Sequence, residues 1–259
     1  MAAFTDAVTL TPTYHSQVYQ KPTEIKAKLF ECDISSLSEV KALVEQGALP
    51  LYFKEGTTPL HIASGANAVE TTKFFLDSYC ENGEVIDAMS AKTDALQETP
   101  LICACENGSL EVVELLLKMG ASALDQNSYG STCLHLASRA PRNAPALTRL
   151  LLQAGAKISV ANHRGLDALH FAPFAEPESD AVEVAGILVE AGAQVNAQDL
   201  QGATPLHVAI TKKSAPLVKA LVALGADPLI RNAQGKTCTD LLESLATDKE
   251  RDTLLALLK

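Results

Sequence analysis

The sequence predicts an all-α solenoid, a stack of about seven helix-turn-helix units joined by β-turn loops, with no extended sheet. Three observations predict it. One phrase recurs six times, as Thr58-Pro-Leu-His-Ile-Ala63, Thr99-Pro-Leu-Ile-Cys-Ala104, Thr132-Cys-Leu-His-Leu-Ala137, Asp167-Ala-Leu-His-Phe-Ala172, Thr204-Pro-Leu-His-Val-Ala209 and Thr237-Cys-Thr-Asp-Leu-Leu242. The phrases begin 41, 33, 35, 37 and 33 residues apart, a period that marks stacked supersecondary units. A glycine at Gly47, Gly120, Gly155, Gly192 or Gly225 closes the second helical stretch of a unit, where a left-handed residue releases the chain.

In chain order, residues 1–23 lack helical periodicity and read as a flexible arm, with a strap along the first unit as the alternative. Residues 24–259 form a single repeat domain with units at about 24–54, 55–95, 96–128, 129–163, 164–200, 201–233 and 234–259. The first unit lacks the phrase but keeps a second helix, opened by a Ser36-x-x-Glu39 capping box and carrying Val40, Leu43 and Val44 on one side. In the units that follow, Thr58, Thr99, Thr132, Asp167, Thr204 and Thr237 stand where a side-chain oxygen accepts from free helix amides. Pro59, Pro100 and Pro205 follow at the first helical position, where no amide hydrogen is needed. Asn127-x-x-Gly130, Asn162-x-x-Gly165, Asp199-x-x-Gly202 and Asn232-x-x-Gly235 supply the turns between units. Gln97 stands where that glycine would be, so the turn before Thr99 is expected to be deformed. Added length falls after the second helix of 55–95, around Tyr79 to Glu84, and between the helices at Pro141–Pro145 and Pro173–Pro177. The last unit ends in Leu254, Leu255, Leu257 and Leu258 beside the charged run Asp248 to Asp252, the pattern of a cap with one polar face.

These phrases resemble the ankyrin repeat, whose signature is T-P-L-H-x-A at a period of about 33. The resemblance covers residues 24–259. It implies a concave face made of loop tips and first helices, where partners bind. It also implies that His61, His135, His170 and His207 brace loop backbone between units. Asn196, with Leu188 eight residues before it and Val195 immediately before, resembles the loop asparagines that an asparaginyl hydroxylase modifies in some ankyrin proteins. Gln194, where an acidic residue is preferred, departs from that pattern, and a turn asparagine bonding its own backbone is the plainer reading.

Composition narrows the function. Hydrophobic content of 47% without tryptophan suits an aliphatic helical core, and a net charge of −10 argues against nucleic acid, which needs a basic footprint. No apolar run approaches the roughly 20 residues of a membrane helix, and Met1 to Glu24 has neither a basic start nor an apolar core segment. Most of the six cysteines fall at helical positions, as small buried hydrophobes in a reducing compartment. A cytoplasmic or nuclear monomer is expected.

No catalytic constellation emerges. The four register histidines lie on neighbouring helices about 8–10 Å apart, whereas zinc ligands must each approach one ion to about 2.1 Å. Gly235-Lys-Thr237 echoes a phosphate-binding loop, but Ile230 occupies the position of its first glycine. Cys103-x-Cys105 lacks the two-residue gap of a redox or zinc pair. No enzyme activity, cofactor or metal is expected.

The central units carry the unusual surface. By register, Gly65, Glu106, Arg139, Phe174 and Thr211 form one row on the concave side, and Glu55, Leu96, Tyr129, Arg164, Gln201 and Gln234 form a second. Tyr129, Arg139, His163, Arg164 and Phe174 meet in one neighbourhood, and Ala123 to Ala175 holds five basic residues against two acidic ones. Tyrosine and arginine are common interface anchors, although single exposed aromatics are ordinary. The expected role is a scaffold or adaptor for a protein partner with an acidic face. The alternatives are a stoichiometric regulator or assembly chaperone that occludes an enzyme or subunit, and a non-catalytic component of an enzyme complex.

Overall fold

The computed structural model describes residues 28–48, 54, 56–245 and 248–258; the expected arm at 1–23 and Glu55 lie outside them. A helical stretch at residues 28–31 precedes α1 (Leu37–Glu45). The phrases then open α2 (Pro59–Gly65), α5 (Pro100–Glu106), α7 (Cys133–Ala137), α9 (Ala168–Phe171), α11 (Pro205–Thr211) and α13 (Cys238–Leu245). A second helix follows each, namely α3 (Val69–Asn82), α6 (Leu110–Lys118), α8 (Ala144–Gln153), α10 (Glu178–Glu190), α12 (Ala215–Ala223) and α14 (Asp248–Leu257). Among the described residues the only β contacts are two isolated bridges, Lys54 to Thr57 and Gln126 to Thr132.

Two layers result. The first helices touch in the order α2, α5, α7, α9, α11, α13, and the second helices in the order α1, α3, α6, α8, α10, α12, α14. The core lies between the layers and runs through every pair. In α6, Val112, Val113 and Leu116 are buried while Glu111, Glu114 and Lys118 are exposed, the one-sided pattern of a helix packed on a single face. Burial of each such aliphatic side chain stabilises the fold by roughly 1.5–3 kcal/mol. The first helices carry buried small residues, including Ala63, Ala104, Cys105, Ala137, Ala168 and Ala209.

The register histidines stitch the units together. His61 Nδ1 accepts from the Thr58 amide at 3.1 Å, and its Nε2 reaches the carbonyls of Glu98 (3.0 Å) and Ala91 (3.1 Å). His170, at the same register, differs: its Nδ1 faces the Asp167 carboxylate at 2.7 Å, an acceptor to which it donates, and its Nε2 lies 3.1 Å from Ala203 O. His135 and His207 repeat the His61 arrangement, with Nε2 on Leu166 O (3.0 Å) and Lys236 O (3.3 Å). Accepting at Nδ1 fixes the neutral tautomer that donates from Nε2. The threonine hydroxyls cap as expected: Thr58, Thr132 and Thr204 form capping boxes with their histidines, and Thr99 accepts from Ile102 N–H at 3.4 Å. Those of Thr58, Thr132 and Thr204 lie 2.8–2.9 Å from a histidine Nδ1, while the helix-amide bond from His207 to Thr204 is 3.5 Å long. Each hydroxyl donates to the ring nitrogen while its oxygen still faces the helix amide. In the last pair Asp240 replaces histidine and accepts from the Thr237 amide at 2.8 Å. The capping box expected at Ser36 does not form; its hydroxyl lies 3.3 Å from that of Ser38.

The turns follow the Asx pattern. Asn162 Oδ1 accepts from the Arg164 and Leu166 amides at 2.9 and 3.1 Å, and Asn127, Asp199 and Asn232 make equivalent pairs. Before Thr99 the turn is rebuilt around Gln97, which adopts a left-handed φ of 53°. There the Thr93 hydroxyl accepts from Glu98 N–H at 3.1 Å, doing the work of the Asx side chain.

Each insertion has a distinct fate. The one after α3 folds into an extra helix, α4 (Val85–Ser90), which spacing alone does not reveal. In the turn before α8, Asn143 and Arg142 reach back to the carbonyls of Gly108 and Asn107 at 2.9 and 3.0 Å. The third forms a 3₁₀ turn, Ala172–Phe174, that leaves Phe174 46% exposed on the side of the first helices.

Candidate partner-binding groove

Two clefts open on the first-helix side of the central units. One, of about 320 Å³, is lined by Arg139, Arg164, Leu166, His170, Phe171, Phe174, Asp199 and Val208. The other, of about 440 Å³, adds Leu96, Glu98, Glu106, Asn127 and Tyr129 and shares Arg139, Arg164, Leu166 and Phe171 with the first. Volumes of this size suit individual side chains or a short segment of a partner.

Phe171, in the fifth position of its phrase, forms the shared wall. Its ring meets His135 edge-on at 5.3 Å, and the Arg139 guanidinium lies 5.8 Å from its centroid. Arg139 is also held at 2.7 Å by Glu106 from the preceding pair. With both side chains well exposed, that ion pair contributes about 0–1 kcal/mol, so it orients the guanidinium more than it stabilises the fold. Lys212 Nζ stands 4.1 Å from the Phe174 centroid, within cation–π range. Arg164 is exposed and makes no ion pair among the described residues; its loop is fixed through backbone, with its carbonyl accepting from Leu200 N–H at 3.0 Å.

Glu98 sits at the floor, 8% exposed. Burial and then the neighbouring Glu106 push its carboxyl above the usual range, while a hydrogen bond with Asn127 and the charge of Arg139 pull it back. Cys103 Sγ lies 3.9 Å from Glu98 Oε2, and burial lifts that thiol to about 12, so it is protonated and unreactive.

The residues singled out by register divide as follows. Tyr129, Arg139, Arg164 and Phe174 line the clefts. His163 does not: it lies on the loop against Gly130, where an added Cβ would stand 2.7 Å from its ring. The excess of positive charge is also smaller in space than in sequence, because Arg149 pairs with Glu183 at 2.7 Å and Arg139 with Glu106. A count along the chain omits acids one unit away. Glu98, Phe171 and Lys212 were not singled out; Phe171 is recoverable from its place in the phrase, whereas Glu98 and Lys212 leave no sequence signal. Asn196 lies in the loop after α10, and its amide bridges to the next loop instead of its own backbone. Its Nδ2 donates to Gly225 O at 3.2 Å and its Oδ1 accepts from Asp227 N–H at 2.8 Å.

Among the described residues no helix is long and apolar enough to cross a membrane. Comparison with known proteins gives matches to two family models of ankyrin repeats, over residues 79–162 and 188–242, together more than half of the chain. The chain is 28% identical over 216 residues to the B-cell lymphoma 3 protein homolog of Mus musculus, covering 71% of this chain and 47% of that protein. It is 35% identical over 134 residues to the nuclear factor NF-kappa-B p105 subunit of Gallus gallus, covering 50% of this chain and 13% of that one. It is also 27% identical over 222 residues to the palmitoyltransferase AKR1 of Lachancea kluyveri, covering 83% of this chain and 29% of that one. The chain thus spans less than half the length of these relatives. Repeats of this kind support a protein–protein interaction module, and the stitched helix pairs together with the matched models place the chain in the ankyrin-repeat family.

Proposed function

We propose that this chain is a non-catalytic scaffold or adaptor that holds a protein partner with an acidic face in the groove of its central units. One observation carries the reading: Arg139, Arg164, Phe171 and Phe174 converge on two contiguous clefts. Aromatic and arginine side chains around a recess are the usual anchors of an interface, and their truncation commonly costs about 2 kcal/mol or more of binding. The histidines and turn carboxylates that might otherwise do chemistry are engaged in bracing the stack. The cysteines are free thiols, Cys105, Cys133 and Cys238 among them buried, which supports a reducing compartment, cytoplasm or nucleus, and we infer a monomer.

The test compares proteins captured by the intact chain and by an Arg139→Ala, Arg164→Ala, Phe174→Ala variant. Capture should be lost while the thermal midpoint changes little, since none of the three is a core residue. Full capture by the triple variant contradicts the assignment. Asn196 remains a proposed hydroxylation site. Because Leu188 is buried and the Asn196 amide is tied to Gly225 and Asp227, modification requires local opening of this unit. Intact-mass analysis of protein from a host containing such a hydroxylase, with no added oxygen on this loop, would remove it.

A further inference from the structure

Phe174 has a cation from the unit before it and another from the unit after it. Arg139, at the same register one unit earlier, lines the cleft with it. Lys212, one unit later at the C-terminal end of α11, holds its Nζ 4.1 Å from the Phe174 ring centroid. Arg164 borders the same cleft from the turn, and Leu166, Phe171 and Val208 supply apolar walls. The acids nearby are mostly engaged. Glu106 pairs with Arg139 at 2.7 Å, and Asp167 faces the buried His170 at 2.7 Å. Asp199 gives its Oδ1 to the Gln201 and Ala203 amides at 2.8 Å each. Arg164 and Lys212 make no ion pair among the described residues, so the cleft stays positive even with Asp199 counted in full. The excess continues along the chain: residues 201–236 hold five basic residues against one acidic, Asp227. Of those five, Arg231 is drawn to Asp240 at 3.7 Å.

Resting on the concave-face reading above, we propose that the docking site extends onto the unit at 201–233. The Phe174 cleft takes one bulky apolar side chain of a partner segment, and Lys212 and Arg164 select acidic residues beside it. A cleft of about 320 Å³ admits a single large side chain, which packs on the Phe171 and Phe174 rings. Charge complementarity identifies that side chain's neighbours. Arg164 and Lys212 belong to successive units, so a carboxylate next to the anchor meets one of them whichever way the segment runs, and a basic segment is repelled. The adjoining cleft sets Glu98 and Glu106 against Arg139 and Arg164 and offers no such excess. Lys212 therefore decides the sign of charge that the site accepts. Its side chain is exposed, so it acts on binding and not on the core.

The experiment selects a phage-displayed library of random peptides, about a dozen residues long, on the whole chain and on its Lys212→Glu and Phe174→Ala variants, with thermal midpoints checking that both variants fold. Peptides enriched on the unaltered chain should carry a bulky apolar residue with Asp or Glu close to it in sequence. Their dissociation constants should rise more than about tenfold on Phe174→Ala and on Lys212→Glu, and should also rise with added salt. Selection on Lys212→Glu should deplete the acids and enrich Lys or Arg in their place. Peptides weakened by Phe174→Ala but indifferent to Lys212→Glu, or enriched without acids, overturn the inference and leave the concave-face reading standing. Binders indifferent to both substitutions overturn both readings, and failure to enrich any peptide overturns the inference. Self-association of the chain that Phe174→Ala abolishes would assign the cleft to a second copy and overturn it as well.

Discussion

His61, His135 and His207 each lie in a buried site that disfavours the imidazolium, and burial holds their pKa below the ordinary value of 6.5. Protonation at Nδ1 would also oppose the amide that each ring nitrogen accepts. The unfolded chain therefore binds more protons than the folded one just below pH 6.5. Stability is fully present above that pH and declines as the medium is acidified through the lowered folded values. Urea midpoints should fall between pH 7.5 and pH 5.5; an unchanged or rising midpoint contradicts the neutral-tautomer brace. His207→Ala should cost about 1–3 kcal/mol by equilibrium unfolding, because it strands the Thr204 amide and the Lys236 carbonyl. The histidine role was legible because one residue type recurs at one register. Glu98 was not, because the groups that act on its carboxyl, Glu106, Asn127 and Arg139, meet it only in the fold.

At the scale of elements, the turns decide where the groove residues stand. Asn162 Oδ1 holds the Arg164 and Leu166 amides, and its Nδ2 donates to the Ser131 hydroxyl at 3.2 Å, tying one turn to the previous one. Asn162→Ala should lower stability by about 1–3 kcal/mol in a denaturant titration and release the Arg164 loop, so partner affinity should fall with it. Loss of stability with unchanged affinity would show that loop fixation does not matter for binding. The Asx turns and terminal glycines were readable because each demands a particular residue type: Gly120, Gly155, Gly192 and Gly225 have φ of 87–99°. The insertions were readable in length but not in form. α4 arises where Ala88 and Met89 find a buried site beside α3, and the reach of Arg142 and Asn143 depends on carbonyls of the preceding turn. Phe174 owes its exposure to the 3₁₀ turn, a geometry its flanking prolines permit but do not specify.

For the whole molecule, each helix pair touches chiefly the pairs before and after it, so stability is close to a sum of neighbour terms. Removing residues 129–163 should leave a helical, cooperatively folded protein with a lower urea midpoint, because the flanking faces are alike. The same deletion removes Tyr129 and Arg139 and should abolish partner capture. A deletion product without helical structure by circular dichroism would contradict nearest-neighbour additivity. Repetition made the architecture legible from sequence, whereas the groove depends on how unlike residues from four successive first helices and their loops meet. Hydrogen–deuterium exchange of the chain with its captured partner tests that meeting most directly. New protection should concentrate in residues 96–106, 129–139 and 162–174. Protection confined to the second helices α8 and α10, with those segments unchanged, would contradict it.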